Sequence, residues 1–362
     1  MSKKSISALD LTALVHELQF LLHSKVSRLY HDEDRELLLD LHLTGKGKQF
    51  LKVIPGKWLC LTANKHDFVK QSNLSQQLRK HLEGAYLQSI TQKDAERIVV
   101  LEFGQKNNSY FLMVELFSKG NLILTTPDYI IIAVLEKQNW KDRSIAVGEK
   151  YIFPAPVANW KKITEKELLD LVQRSEKRNL ATMLAIELGL GGLYAEEICK
   201  IAEVDKDKLP SQIGAKELKE LYQALRGLVA SAGSPKGYIY GDQITPFPLQ
   251  GEKPLTITLT FNEALDTVNP FQVLSPYDKK IKSLSQVIAG QEESIQKLRE
   301  AADSATRKAE LIYEKYAPLQ RLLQIVKDLR KTNDWKEIAQ ELKREKKIKL
   351  VDLKNKKVVI DL

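Results

Sequence analysis

Four short constellations in this 362-residue chain carry residue types and spacings that could handle a phosphate or another anion. Leu78-Arg79-Lys80-His81-Leu82 packs three basic or potentially basic side chains onto one helical turn, and Glu96-Arg97 opens a strand just beyond Asp94. Glu115-Leu116-Phe117-Ser118-Lys119-Gly120-Asn121-Leu122 has the form strand, polar turn, strand. Its Gly120-Asn121 pair tolerates positive φ and would expose backbone N–H groups beside Lys119. The run from Leu188 to Ala195 holds Gly189, Gly191 and Gly192 between two apolar helical stretches, the form of a helix-hairpin-helix whose glycines let a phosphate approach the backbone. Taken singly, each reads equally as a solvated helix face, a strand-edge ion pair or a tight helix-helix turn.

Other chemistries lack their residues. No Walker A loop, dinucleotide glycine pattern, His-Glu-x-x-His helix or Gly-x-Ser-x-Gly elbow occurs. His16, His23, His31, His42, His66 and His81 match no common metal-ligand spacing, so neither a metal nor a cofactor is expected. Gly45-Lys46-Gly47-Lys48 reads as a basic hairpin turn. Cys60 and Cys199 exclude a disulfide scaffold, and Cys60 reads as a buried thiol in a strand with nothing nearby to activate it.

Composition narrows the class further. Hydrophobic residues at 43% and charged residues at 28% are those of a globular chain with room for two or three domains. The longest apolar run, residues 129–135, is far short of the roughly 18 residues of a membrane span, and the polar start leads into no apolar signal core. A cytoplasmic protein without membrane contact is expected. The net charge of +9 is uneven: 21 Lys and Arg stand against 13 Asp and Glu from residue 279 onward, and 35 against 34 before it. A basic arm of that kind is drawn to a polyanion such as RNA, or is simply a well-solvated helix surface.

The elements that must position these residues follow from periodicity. Leu11, Leu14, Val15, Leu18, Leu21 and Leu22 make one apolar helix face, with Ser7 as N-cap and Asp10 in the first turn. Strand-like segments follow at 26–30, 36–43, 49–54 and 58–62, then a helix over 75–83 and strands at 97–103, 110–117, 122–125 and 129–136. Two runs of four strands, each behind a helix, predict a duplicated or two-sheet α+β sandwich. The expected domains are a sheet module over 1–160, a helix-hairpin-helix module over 161–230, a segment over 231–275 returning to the sheet, and a basic helical arm over 276–362. In the arm Ile288, Ile295, Leu298, Ala302, Ala305, Ala309, Ile312 and Tyr316 form a heptad seam. Pro318 is expected to end that helix, so that the arm folds back as an antiparallel coiled hairpin; a third helix over 335–342 and a strand-like end around Asn355 follow. A long coiled hairpin needs a returning partner helix, so a truncated chain is expected.

Asp10 and Glu17-Leu18, Leu78 to Leu82, Glu96-Arg97-Ile98-Val99, Glu115-Leu116-Phe117 with Gly120-Asn121, and Gly148-x-x-Tyr151-x-x-Pro154 together resemble the NFACT family of ribosome-associated quality control, also called RqcH-like or fibronectin-binding-like proteins. The resemblance is to the archaeal and eukaryotic branch and spans nearly the whole chain. It implies a glycosylase-like sheet module and a protein that binds the large ribosomal subunit carrying stalled peptidyl-tRNA. There the family recruits charged tRNA, typically alanine tRNA, for mRNA-independent tail addition; bond formation belongs to the ribosome, so the protein is a non-catalytic factor and not an enzyme. The resemblance maps tRNA handling onto Asp10, Glu96 and Arg97, with Arg97 held in position by the two carboxylates and Glu96 standing where the family has Asp. Arg79, Lys80, His81, Lys119, Asn121, Gly189, Gly191 and Gly192 are the further RNA-binding candidates.

Two rival functions come with the same resemblance. One is a glycosylase-like DNA-binding protein without base-excision chemistry, since base excision needs an N-terminal proline amine and Ser2 and Lys3 stand there instead. A fibronectin-binding adhesin would need a signal peptide or wall anchor.

Overall fold

In the computed structural model, residues 3, 5–31, 36–63, 72–105, 108–140, 143–155, 158–241, 243–268, 276–332, 334–342, 348–352 and 357–360 are described. They fall in two compact units, Met1–Gln272 and Val273–Leu362.

Helix α1 (Ala8–Glu17) starts where the Ser7 hydroxyl accepts the Asp10 N–H and the Asp10 carboxylate accepts the Ser7 N–H, a reciprocal cap. Its apolar face, Leu9, Leu11 and Leu14, is fully buried and continues through a short 3₁₀ turn carrying Leu18 and Leu21. The chain then makes strands β1 (Lys25–His31), β2 (Leu37–Leu43), β3 (Gly47–Ile54) and β4 (Trp58–Thr62). Helix α2 (Asn73–Leu82) leads to β5 (Tyr86–Gln92), β6 (Ile98–Gln105), β7 (Asn108–Glu115), β8 (Asn121–Thr125) and β9 (Ile131–Val134).

All nine strands belong to one antiparallel sheet in the order β4-β3-β2-β1-β5-β6-β7-β8-β9, where two sheets were expected. The halves meet between β1 and β5, with Lys25 opposite Tyr86 and flanking backbone bonds from the His23 N–H to Leu87, the Leu87 N–H to Ser24 and the Val26 N–H to Ala85. β5 is the strand that sequence periodicity missed, because Tyr-Leu-Gln-Ser-Ile-Thr-Gln offers only Leu87 and Ile90 to the core. Far along the sheet the two halves come together again. The Gly56 N–H, in the β3–β4 turn, donates to the Glu115 carbonyl at 2.9 Å, and a Cβ on Gly120 in the β7–β8 turn would lie 1.8 Å from Gly56 N. Turns from strands six places apart in the order can touch only if the sheet curls over the core, and one apolar cluster accordingly takes side chains from both halves, from Leu39 and Trp58 to Phe103 and Leu124.

A small hairpin, β10 (Gln138–Trp140) and β11 (Arg143–Ile145), precedes the helical part: α3 (Glu165–Arg174), α4 (Leu180–Ile186), α5 (Gly192–Ile201) and α6 (Ala215–Ser231). These helices pack α4 on α5, α5 on α6 and α3 on α6, and Trp160, Met183, Tyr194 and Leu225 join the sheet's apolar cluster. A three-stranded sheet, β12 (Gly237–Ile239), β13 (Ile244–Thr245) and β14 (Thr256–Thr258), and helix α7 (Phe261–Asp266) return the chain to α1 and β4. The Asn262 side chain donates to the Leu61 carbonyl at 3.2 Å and accepts the Leu61 N–H at 2.6 Å, which satisfies part of the exposed edge of β4 as a further strand would.

In the second unit α8 (Pro276–Glu314), α9 (Tyr316–Thr332) and α10 (Trp335–Leu342) precede a hairpin of β15 (Ile348–Asp352) and β16 (Lys357–Ile360). The expected fold-back after Pro318 is absent from the described residues. Hydrogen bonds of helical spacing, Lys315 N–H to Leu311 and Leu319 N–H to Lys315, run through the junction. Pro318 lies in the first turn of α9, where its missing N–H costs nothing. The heptad seam is open: Ile295 is 49% exposed, Leu298 70% and Ile312 50%, and Ala302, Ala305 and Ala309 are exposed too. Among the described residues no element is long enough to bury it. No helix among them is long and apolar enough to cross a membrane.

Candidate functional site

Arg97 lies at the entrance to β6, where its carbonyl accepts the Leu116 N–H at 2.8 Å. Its guanidinium is half-buried and makes no side-chain hydrogen bond or ion pair with any described residue; desolvation depresses its pKa, opposed only by the charge of neighbouring Glu96. A side chain in that state has five N–H donors and no protein acceptor.

It opens into a cleft of about 560 Å³. One wall is the N-terminal end of α1, Ser5 to Ala8; another is the α4–α5 turn, with Gly189, Leu190 and Gly191; Phe117 and Pro154 close the remaining sides. Two helix N-termini therefore meet at one cavity beside an unpaired arginine, all three favouring negative charge. The two ends differ in chemistry. α1 is capped by its own Ser7 and Asp10, whereas α5 has no side-chain cap, and the N–H groups of Gly192 and Leu193 have no partner among the described residues. Gly191 enters the helix at φ 79°, ψ 161°, a conformation essentially reserved to glycine.

Asp10 is in a different position from the one expected. It is 1% exposed and fully engaged: the Lys3 ammonium pairs with it at 2.8 Å, the Ser7 N–H donates to it at 2.7 Å, and the Tyr194 hydroxyl donates to it at 2.5 Å. Lys3 also donates to the Ile244 carbonyl. Asp10 therefore makes no bond to Arg97. Its three partners consume it as a buried link between α1 and α5. Burial and the Asp10 charge push the Tyr194 phenol well above its ordinary pKa, so it remains a donor.

Of the other sequence candidates, Glu96, Gly189 and Gly191 line the cleft with Arg97, and Gly192 follows directly. Arg79, Lys80, His81, Lys119 and Asn121 do not. The Arg79 guanidinium donates to the Leu29 carbonyl at 2.8 Å and faces Glu83, and His81 packs edge-on against Tyr110, where burial lowers its pKa. Asn121 is fully buried and bridges β8 to Glu136 through both amide atoms. Glu115 is likewise buried, accepting from Tyr151 and Arg143. Lys80 and Lys119 are exposed. Cys60 and Cys199 are buried thiols, each pushed up to about 12 by desolvation. Among the described residues no three His, Cys, Asp or Glu side chains gather as a metal site.

Sequence reasoning missed the residues behind the cleft wall. The Lys161 ammonium donates to Gln92 Oε1 at 2.7 Å, and Gln92 in turn donates to the carbonyls of Ala8 and Glu96, two cleft residues. Desolvation lowers the Lys161 pKa to about 8, with the Asp94 charge opposing. Lys161 carries no local motif, and Tyr194 lies within the run over 188–195 but is not one of its glycines.

The fold and the cleft define a sheet protein with an attached helical module and an anion-receptive seam between them. The chain belongs to the NFACT family, whose N-terminal and middle domains match residues 7–271. It is 27% identical to the archaeal Rqc2 homolog aRqcH of Methanocaldococcus jannaschii over 97% of this chain and 56% of that protein. It is 24% identical to the human ribosome quality control complex subunit NEMF over 93% of this chain and 35% of that protein. The chain thus spans about half, or less, of the length of these relatives. The N-terminal part of the fibronectin/fibrinogen-binding protein from Streptococcus suis shares the fold, with a TM-score of 0.59 at 19% identity over 73% of this chain and 98% of that one.

Proposed function

We propose that this protein is a ribosome-associated quality control factor that binds the large ribosomal subunit carrying stalled peptidyl-tRNA. In this reading it recruits charged tRNA, alanine tRNA foremost, for mRNA-independent tail addition. The observation that carries the reading from the family to these residues is the half-buried, unpartnered Arg97 guanidinium beside the uncapped N-terminus of α5. That arrangement suits a nucleic-acid phosphate or base edge. The basic arm would add sequence-independent attraction to RNA, with the steep salt dependence of counterion release. An adhesin function draws on the Streptococcus fold likeness alone, and a fold does not carry a function with it.

Arg97→Ala in the intact protein should abolish tail addition on stalled large subunits while leaving thermal unfolding and subunit binding intact, because the side chain supports no other group. Extension of stalled chains at the normal rate would move the tRNA-handling role to Arg79, Lys80 and Lys119. Sequencing of RNA crosslinked to the protein in cells distinguishes this reading from a DNA-binding or adhesive one.

A further inference from the structure

The first turns of α1 and α5 are joined by one hydrogen bond between residues in the same place in each helix. Asp10 is the third residue of α1 and Tyr194 the third of α5, and they meet with the phenol oxygen 2.5 Å from the carboxylate. Both helix ends line the Arg97 cleft just upstream of that bond, α1 through Ser7 and Ala8 and α5 through Leu190 and Gly191. The link is rigid at both ends. Asp10 is pinned by Lys3 and the Ser7 N–H, and Tyr194 is 1% exposed with its ring against Phe247 at 5.3 Å.

We infer that Tyr194 is a positioning residue for the cleft: its hydroxyl, through Asp10, holds the uncapped end of α5 at the distance from Arg97 at which one bound nucleotide can meet both. The inference rests on the reading of the cleft as the tRNA-handling site, and it assigns Asp10 a role through the fold in place of direct contact with RNA. Two further features support it. Lys3 neutralises the Asp10 carboxylate inside the protein, and among the described lining residues Glu96 is the carboxylate that shares the cleft with Arg97. The α4–α5 turn itself is built on two positive-φ glycines, Gly189 at 72° and Gly191 at 79°, and has no side-chain cap to fix it. The turn is tied back to α4 by the Leu190 N–H to the Leu184 carbonyl and the Gly191 N–H to the Ala185 carbonyl, and Tyr194 ties the start of α5 to α1.

Tyr194→Phe removes only the hydroxyl and keeps the ring packed on Phe247. With the intact protein on large subunits carrying peptidyl-tRNA, and charged alanine tRNA as the titrant, the half-saturating tRNA concentration should rise about tenfold. The rate at saturation should remain within about twofold, the signature of weakened binding without altered chemistry. In Arg97→Ala, where tail addition is lost, the comparison is made by direct binding of charged alanine tRNA to the same complexes, and adding Tyr194→Phe should lower that affinity no further, because the two act on one contact. Lys3→Met is the second variant: it removes the ion pair but leaves the Tyr194–Asp10 bond, so it should lower the melting temperature and leave half-saturation near the parent value. A Tyr194→Phe protein that melts earlier but saturates at the parent concentration, or a Lys3→Met protein impaired as severely as Tyr194→Phe, would overturn the inference while the cleft reading stands. Should Arg97→Ala alone leave half-saturation unchanged, the cleft reading fails and this inference with it.

Discussion

The two helix ends at the cleft begin from opposite backbone geometries, φ −83° at Ser7 and φ 79° at Gly191, and finish with opposite chemistry. At α1 the hydroxyl of Ser7 accepts the Asp10 N–H of the first turn, the carboxylate of Asp10 accepts the Ser7 N–H, and Lys3 cancels the remaining charge. At α5 a glycine replaces the cap, and the donors of Gly192 and Leu193 stay open beside Arg97. The lesson is that a helix N-terminus becomes a binding feature only where its own sequence declines to cap it. One end secures the fold, and the other is left for a ligand.

Breaking the closed end should cost most. Asp10→Ala would strand the buried Lys3 ammonium and remove the Tyr194 acceptor, for a loss of about 3–5 kcal/mol. Calorimetry or chemical unfolding would read this as a drop in melting temperature on the order of 10 °C. A loss below about 1 kcal/mol would mean that Asp10 is solvated and not the buried link described.

At the open end Gly191→Ala meets no steric obstacle, since nothing lies within 4 Å of the added Cβ, but it forces a side chain into a glycine-only backbone region. That strain is worth about 1–3 kcal/mol. The comparison sharpens if part of it is relieved by movement of the α4–α5 turn, because tRNA half-saturation would then rise out of proportion to the stability lost.

Ser7→Ala tests the cap alone. It should cost about 1 kcal/mol, with no change in tRNA half-saturation, because Asp10 would still hold Tyr194.

The smallest effect is a pH dependence. Lys161 has a folded pKa of about 8, below its ordinary value of 10.5, so between those two values the unfolded chain holds more protons than the folded one. Stability should therefore rise with pH through that window, and its cost should be fully present below pH 8. Lys161→Met should remove this component of the rise in urea midpoints measured from pH 7.5 to 10. An unaltered slope would place the Lys161 ammonium in solvent.

Much of the architecture was legible because its signals are local. The α1 apolar face and its Ser7–Asp10 cap, the strands of the first half and the change to helices after Pro154 can all be read from neighbours a few residues apart. The failures share a cause. β5 lacked apolar alternation and is stabilised by its partners β6 and β1. The join of the two halves into one sheet rests on the short stretch of backbone bonds around Lys25 and Tyr86, which has no sequence signature. The fold-back of the arm was inferred from a seam that needs a partner, yet Pro318 could sit in a first turn and let the helix continue.

The candidate site divides in the same way. Glu96, Arg97, Gly189 and Gly191 were nameable as residues, but on position alone Arg97 could have been an ordinary strand-edge ion pair. Its lack of a partner among the described residues is a fact of three dimensions. Asp10 was equally nameable, but its partner is Tyr194, 184 positions along the chain, and not the Arg97 it was expected to hold.

By itself the sequence determined the element types, the basic arm and the glycines, since periodicity, charge and missing side chains are properties of short stretches. Tertiary structure decided what each of them means. Gly120 and Gly191 are alike as letters and alike in positive φ, yet a Cβ on Gly120 would strike the Gly56 backbone at 1.8 Å, and one on Gly191 would meet open space. The first is a glycine for packing and the second a glycine for an opening. That distinction depends on which distant atoms arrive nearby, and burial, pairing and desolvation are sums over those atoms.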